Sequence, residues 1–149
     1  MQKRFISSIQ KAYLAGFLDG DGSIYVRAKP NPTYKYGFQI APYIVFFQSS
    51  KEKAKFKKIC SLIKLGYIRE RKDGILEYII SKNDNILDFV KMINPYVILK
   101  KEQAKLIVKI LEAKVKVKNK KDFEKLINLI DSFRNLNYSK KRKKHVLTP

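Results

Sequence analysis

The sequence contains very few of the side chains on which many metal sites and active sites depend. Its 149 residues include one cysteine, one histidine and no tryptophan. A single Cys60 excludes an intrachain disulfide framework, and zinc fingers or ribbons would lack their ligands. His145 lies in a basic tail, which argues against most histidine-based acid–base catalysis. No apolar run resembles a signal peptide or reaches the ~20 residues of a membrane span. We therefore expect a soluble intracellular protein, in the cytoplasm, the nucleoid or an organelle depending on the host, with no membrane partner.

Acidic residues are also scarce, whereas basic residues are abundant. Thirteen Asp and Glu stand against 33 Lys and Arg, which gives a formal net charge of +20. A charge of this size favours a polyanionic partner, and nucleic acid is the first candidate because each neutralised phosphate releases counterions. Hydrophobic residues make up 45% of the chain, so a packed core is expected despite the charge.

The pattern of apolar residues predicts an α+β fold with one antiparallel sheet. The predicted elements, in chain order, are a helix over 8–20 with Ser8 as N-cap, strands over 24–29 and 36–48, a helix over 50–63 opened by Ser50, strands over 67–71 and 75–81, a helix capped by Asn83 or Asp84 that ends before Pro95, and helices over 101–117 and 122–136. Pro42 in the second strand suggests a bulge or an edge position. We expect one domain over 1–138 and a basic tail over 139–149.

A run of small residues and an acidic turn mark the first helix. Ala12, Gly16 and Gly20 recur at intervals of four, a spacing that lets two helix backbones approach closely. Asp19 and Asp21 follow within an Asp-Gly-Asp-Gly turn, where a carboxylate is exposed and able to bind a hard cation such as Mg²⁺. The same residue types are ordinary at a helix end and turn, so these residues alone leave both interpretations open.

Residues 14–22, which read LAGFLDGDG, resemble the signature of the LAGLIDADG homing endonucleases. The resemblance extends from about residue 8 to the SKKRK segment, through KPN at 29–31, GYIRER at 66–71 and LKKEQA at 99–104. It implies the family's αββαββ core, with a four-stranded antiparallel DNA-binding sheet shaped as a saddle and C-terminal helices. A single copy of the motif implies a homodimer in which two signature helices pack through Ala12, Gly16 and Gly20.

The resemblance also implies a catalytic site at the end of the first helix. Asp21 would bind the metal, Mg²⁺ or Mn²⁺, together with the backbone carbonyl of Gly20. The reaction would be a two-metal phosphodiester hydrolysis that cuts each DNA strand once and leaves 3′ overhangs. Gln48 and Lys100 match the family's polar and basic positions near the catalytic water.

Two further residues near this predicted site have different expectations. Asp19 falls in the last turn of the helix, so we expect it to cap the helix rather than to bind metal. Glu52 occupies a position where close relatives lead us to expect a basic residue. Part of the network of basic residues and water around the catalytic site is therefore expected to be rearranged or lost.

By the same resemblance, the sheet face opposite the core reads the DNA sequence. The predicted DNA-binding residues of the strands and the first loop are Tyr25, Arg27, Lys29, Asn31, Thr33, Tyr34, Gln39, Tyr43, Arg69, Arg71, Glu77 and Ile79. Lys140, Lys141 and Lys143 in the tail would contact phosphates without reading bases.

The function implied is that of an intron-encoded, homodimeric endonuclease that cuts double-stranded DNA at a long pseudo-palindromic target. Two alternatives remain open at this stage. One is a maturase that binds intron RNA as a splicing cofactor, and the other is a basic nucleic-acid-binding protein whose acidic turn is structural. An intact Asp21 with Gln48 and Lys100 favours the endonuclease, because a pure RNA binder has no need of a metal site.

Overall fold

The computed structural model describes residues 5–137 and shows the predicted αββαββ order followed by further helices. The elements are α1 (Ser8–Asp21), β1 (Gly22–Pro30), β2 (Phe38–Ser49), α2 (Lys53–Cys60), β3 (Tyr67–Glu70), β4 (Ile75–Ile80), α3 (Asn83–Ile93), α4 (Lys101–Val115), α5 (Lys120–Asp131) and α6 (Phe133–Leu136), with a 3-10 turn over Ser50–Glu52 before α2. The strands form one four-stranded sheet in the order β1-β2-β4-β3. The predicted α+β class is confirmed.

Helix α1 starts at residue 8, as predicted, but its N-cap lies one residue earlier than expected. The N-cap is Ser7, not Ser8. The Ser7 hydroxyl oxygen accepts the Gln10 N–H at 3.1 Å, and the Gln10 side-chain oxygen accepts the Ser7 N–H at 3.0 Å. This reciprocal capping box satisfies two N–H groups that would otherwise be unpaired at the helix start. The helix then buries Leu14, Ala15 and Leu18 on one side.

The chain divides into two compact units, of which the first comprises residues 5–23 and 43–101. Its core is built around Phe46 of β2. The Phe46 ring stacks on Phe17 of α1 at 5.3 Å between centroids and meets Phe89 of α3 edge-on at 5.7 Å. Because Phe46 and Phe89 are both fully buried, these rings attach α1 and α3 to one face of β2.

The second unit comprises residues 24–42 and 102–137 of the described chain. In β1 the predicted alternation is confirmed, since Ile24, Val26 and Ala28 are buried. The Asn137 side chain donates to the carbonyl oxygen of Ile24 at 3.0 Å. The Tyr36 ring stacks on Phe123 of α5 at 4.8 Å, so the end of the β1–β2 loop is held by an aromatic contact.

Pro42 lies within a continuous central strand rather than at a sheet edge. The residue pairs between β2 and β4 run from Ile44 with Ile80 to Ser49 with Ile75. Pro42 stands two residues before the first of these pairs, so its missing N–H does not interrupt the ladder with β4.

Candidate functional site

The Asp21 carboxylate stands exposed at the end of α1. Asp21 is the last residue of the helix, and the N–H of Gly22 closes the final turn by donating to Leu18. Within residues 5–137, the Asp21 side chain has neither a hydrogen-bond partner nor an ion-pair partner. A carboxylate at the negative end of a helix dipole is unfavourable unless a cation compensates it. Asp21 therefore has the exposure and the electrostatic environment of a cation ligand.

Asp19 has a different environment from the one expected, because it does not cap its own helix. One oxygen, Oδ2, accepts the N–H groups of Ile98 and Leu99 at 2.9 and 3.1 Å. The other oxygen, Oδ1, accepts the N–H of Lys100 at 3.0 Å. Asp19 thus links the segment just before α4 to the end of α1, and most of the acceptor capacity of its carboxylate is taken up by these N–H groups.

Lys100 is brought to the same turn by these contacts. Its ammonium Nζ donates to the backbone carbonyl of Asp19 at 2.8 Å. That carbonyl belongs to the last turn of α1, where carbonyl groups lack partners within the helix. Helix α1 has no basic residue in its own last turn, so Lys100 supplies a cation there. The carbonyl that it contacts belongs to Asp19, two residues before Asp21.

Gln48 lies near the end of β2 on the side of the sheet that packs against the helices. It pairs in register with Leu76, and its side-chain oxygen accepts the N–H of Ser49 at 2.9 Å. Among the described residues, no hydrogen bond joins Gln48 to Asp21 or Lys100. The structure therefore brings Asp21 and Lys100 to one helix end and leaves Gln48 without a direct bond to either.

The Glu52 side chain interacts with its own helical segment. Its Oε2 lies 3.2 Å from Nζ of Lys55, and both side chains are well exposed. The neighbouring Lys53 contacts Glu70 of β3 at 3.4 Å. Position 52 thus carries a glutamate in an exposed ion pair instead of the expected basic residue, and Lys53 is paired with a carboxylate of the sheet.

One face of α1 is apolar, built of small residues, and open to solvent. Ala12, Gly16 and Gly20 are exposed, and a Cβ added at either glycine would meet nothing within 4 Å outside the helix backbone. Ile9 and Tyr13 on the same helix are 83% and 54% exposed. Exposed apolar residues concentrated on one helix face are typical of an interaction surface.

In the first unit, the sheet face away from the helices carries the predicted DNA-binding residues of β3 and β4. Arg69 stands opposite Glu77 in the register. Arg71 contacts Asp73 at 2.6 Å and Glu77 at 3.7 Å. Tyr43 of β2 is half-buried. This face therefore presents two arginines whose charges are partly balanced by neighbouring carboxylates.

Ile79 differs from the expectation that it contacts DNA. It is only 6% exposed, because Val45 of β2 and Tyr67 of β3 flank it in register on the same face. It therefore offers little surface to a ligand. Phe47 and Ile75 are half-exposed on this face and were not predicted. Extending the two-residue alternation by one step along each strand would have identified them.

The remaining predicted DNA-binding residues of the described chain lie in the second unit. Arg27 is exposed, and Tyr25, Lys29 and Gln39 are half-buried. In the loop after β1, the Asn31 side-chain oxygen accepts both the N–H and the hydroxyl of Thr33, at 3.0 and 2.7 Å. These two bonds form an Asx turn, and the neighbouring Tyr34 is exposed.

Lys140, Lys141, Lys143 and the tail over 139–149 lie outside the described residues. Within the described chain, no helix is long and apolar enough to cross a membrane. Residues 5–137 also contain no cluster of three or more His, Cys, Asp or Glu side chains suited to a metal ion. A metal bound at Asp21 would therefore not be held by such a cluster within residues 5–137.

The sheet and the end of α1 together define a class of protein. A sheet face that bears arginines, together with an unpaired carboxylate and a lysine at the same helix end, is consistent with a nucleic-acid-cleaving enzyme. A family model described as LAGLIDADG endonuclease matches residues 14–107. The chain belongs to the LAGLIDADG endonuclease family, and it carries one copy of the motif. The family and the endonuclease class predicted from the sequence are confirmed.

Individual relatives agree with this assignment. The chain is 36% identical over 132 residues to DNA endonuclease I-CreI of Chlamydomonas reinhardtii. This alignment covers 88% of this chain and 80% of the relative. It is 30% identical over 118 residues to DNA endonuclease I-CvuI of Chlorella vulgaris, and that alignment covers 79% of this chain and 71% of the relative. Both of these relatives are DNA endonucleases.

Solved structures have the same fold. The homing endonuclease I-CvuI in complex with an I-CreI target, in the presence of 2 mM Mg and with the DNA not cleaved, has a TM-score of 0.85 at 27% identity and covers 91% of this chain and 86% of the other. I-CvuI in complex with its own target in the presence of 2 mM Ca has a TM-score of 0.83 at 26% identity and covers 93% and 87%. An archaeal intron-encoded homing endonuclease complexed with DNA, at 20% identity and a TM-score of 0.80 over 93% and 90%, shares the fold.

Proposed function

We propose that two copies of this chain form a homodimeric endonuclease that cuts double-stranded DNA at a specific, pseudo-palindromic site. The observation that carries the proposal is the exposed, unpaired carboxylate of Asp21 at the end of a helix whose outer face is apolar and built of small residues. The DNA complexes of the I-CvuI relative support duplex DNA as the substrate.

The open face of α1 supports the proposed dimer. Ala12, Gly16 and Gly20 leave room for the backbone of a second helix, and exposed Ile9 and Tyr13 would be removed from water by it. Pairing of this face with itself is isologous, as expected of a two-fold dimer. It would bring two Asp21 carboxylates, one from each chain, to the same end of the helix pair.

A divalent metal fits such a pair of carboxylates. One chain supplies the Asp21 carboxylate and the Gly20 carbonyl, which are hard oxygen donors, and the second chain would supply the same set again. Mg²⁺, or Mn²⁺ in its place, prefers oxygen ligands of this kind. The bound metal would supply an activated water and stabilise the charge on the leaving 3′ oxygen. It would also relieve the repulsion between the two carboxylates.

The chain's own residues would position the reacting groups. The Lys100 ammonium stands at the α1 terminus, where it would stabilise negative charge on a scissile phosphate. Gln48 would orient a water through its side-chain amide. Its oxygen already accepts the Ser49 N–H, so the water would bind to the amide N–H groups or to the second lone pair of the oxygen. Asp21 would hold the metal and donate no proton.

The sheet face would provide both affinity and specificity. The dimer carries twice +20, or +40, so phosphate contacts give affinity for any duplex. Arg69 and Arg71 would read guanine edges in the major groove, each contact contributing ~1–3 kcal/mol of discrimination. In the unbound chain Arg71 is held by Asp73 and Glu77, so base reading would exchange one of these ion pairs for a base contact.

Selection from a random duplex library tests this function. Molecules cut in Mg²⁺ would be recovered and sequenced, with Asp21→Asn as the matched control. We expect nearly palindromic cut sites with 3′ overhangs for the wild-type protein and none for the variant. Absence of cutting together with tight binding to a structured intron RNA would overturn the endonuclease and favour the maturase.

A further inference from the structure

We propose that Asp19, the first acidic residue of the turn, is a positioning residue that fixes the Lys100 ammonium beside the α1 terminus. The inference rests on the proposed function, because it assigns Lys100 a role in the cleavage reaction. It differs from the expected role of Asp19 as a cap of its own helix. The contacts that carry it all lie within the first unit.

The Asp19 carboxylate gathers three consecutive backbone N–H groups. Both of its oxygens are used, by the N–H groups of Ile98, Leu99 and Lys100 at distances between 2.9 and 3.1 Å. Hydrogen bonds to an ionised acceptor are about twice as strong as neutral ones. Three of them on one side chain fix both the position and the orientation of the 98–100 segment, which lies about 80 residues further along the chain.

A fourth bond from the same segment returns to the backbone of Asp19. Lys100 Nζ donates to the Asp19 carbonyl at 2.8 Å, while the Lys100 N–H donates to the Asp19 side chain. Lys100 is therefore held at both ends by one residue, which restricts a side chain that otherwise has four rotatable bonds. The restriction places the ammonium at the helix end that also carries Asp21.

The surroundings favour this arrangement electrostatically. The last turn of α1 carries two carboxylates at the negative end of the helix dipole and no basic residue of its own. Three N–H groups compensate the charge of the Asp19 carboxylate, and the Lys100 ammonium donates to the backbone carbonyl of Asp19. Asp21 has no partner within the described residues, so of the two acids Asp21 is the one whose carboxylate is fully open to a metal.

Substitutions at Asp19 separate a positioning role from a purely structural one. Asp19→Asn retains one acceptor oxygen, and Asp19→Ala retains none. Asp88→Asn, at an exposed position of α3, is the matched control for the loss of one negative charge. Single-turnover cleavage in Mg²⁺, DNA affinity without metal, and exchange of the 98–100 amides in the DNA-free protein would be measured for each. Lys100→Met provides a background without the ammonium.

We expect the cleavage rate to fall about tenfold in Asp19→Asn and about a hundredfold in Asp19→Ala, since misplacement of a reacting group by ~1 Å has effects of that size. DNA affinity should stay within about twofold, and the 98–100 amides should exchange faster in both variants. In the Lys100→Met background, Asp19→Asn should reduce the rate by less than about twofold further, because residues that act through one another are not additive.

The outcomes that overturn the inference are distinct from those that overturn the function. The inference is wrong if the wild-type protein is active and the rate reductions caused by Asp19→Asn and Lys100→Met multiply in the double variant. Independent reductions of this kind would show that Asp19 does not act through Lys100. Unchanged amide exchange in Asp19→Ala would show that the carboxylate does not hold the segment. A wild-type protein that cuts no DNA in the library selection would overturn the proposed function, and this inference with it.

Discussion

Gly16→Leu should have opposite effects on the single chain and on the dimer. Gly16 lies in the middle of α1, is exposed, and has space for a side chain, since a Cβ there would meet nothing within 4 Å. Leucine is a much better helix former than glycine, by ~0.8 kcal/mol. The folded chain alone should therefore gain about that much stability, which corresponds to a rise of ~2–3 °C in Tm for a protein of this size.

The dimer should be weakened by more than the chain is stabilised. Inserting a bulky side chain into a well-packed contact costs ~1–3 kcal/mol. The two-fold places two copies of the change in one interface, so the loss is about 2–6 kcal/mol. At ~1.4 kcal/mol for each factor of ten, the dimer dissociation constant should rise by a factor of at least about 30.

Sedimentation equilibrium over a range of protein concentrations measures this change. Glu112→Leu, which adds an exposed leucine to α4 instead, is the matched control and should leave the dimer unaffected. An unchanged dissociation constant in Gly16→Leu would refute the assignment of the interface to the small-residue face of α1. Loss of folding in the variant would contradict the open space observed around Gly16.

Other predictions concern the sheet face, the core and the buried thiol. Arg71→Ala should relax specificity at one symmetric pair of base pairs by ~1–3 kcal/mol, whereas Lys141→Ala should weaken all sites alike and lower the salt slope by about one; competitive binding at several salt concentrations distinguishes them. Phe46→Ala should lower the free energy of unfolding by ~3–5 kcal/mol, measured by urea titration, because the ring is fully buried between α1 and α3. Burial raises the pKa of the Cys60 thiol from 9.0 to about 12, so the folded state retains its proton after the unfolded state has lost it. The contribution of this thiol to the free energy of unfolding should be complete below pH 9 and should fall as the pH rises towards 12. The free energy of unfolding of Cys60→Ala should fall less over the same pH range.

The order of elements could be predicted because each local pattern agrees with its tertiary environment. In β1 the alternation of Ile24, Val26 and Ala28 corresponds directly to the buried face. The N-cap of α1 was predicted one residue too late, although the pair Ser7 and Gln10 has the spacing of a capping box and would have identified it. Local patterns therefore contain more of the fold than apolar periodicity alone reveals.

The contacts of the site residues could not be predicted, since they join segments that are distant in the sequence. Nothing in the spacing of Asp19 indicates that its partners are the N–H groups of residues 98–100, which belong to a different part of the chain. The exposure of individual residues on the sheet face could not be predicted from the sequence either. Ile79 follows the outward alternation, yet Val45 and Tyr67 cover it in register.

The dependence of cleavage on Asp21 is the most direct test of the account. Asp21→Asn and the wild-type protein would be compared on a selected target, with cleavage measured in Mg²⁺ and DNA affinity measured without metal. The exposed, unpaired carboxylate should permit the substitution without loss of folding. We predict that the variant binds the target with affinity close to that of the wild type and cuts neither strand. Cleavage by Asp21→Asn at the wild-type rate would contradict the central claim that this carboxylate holds the catalytic metal.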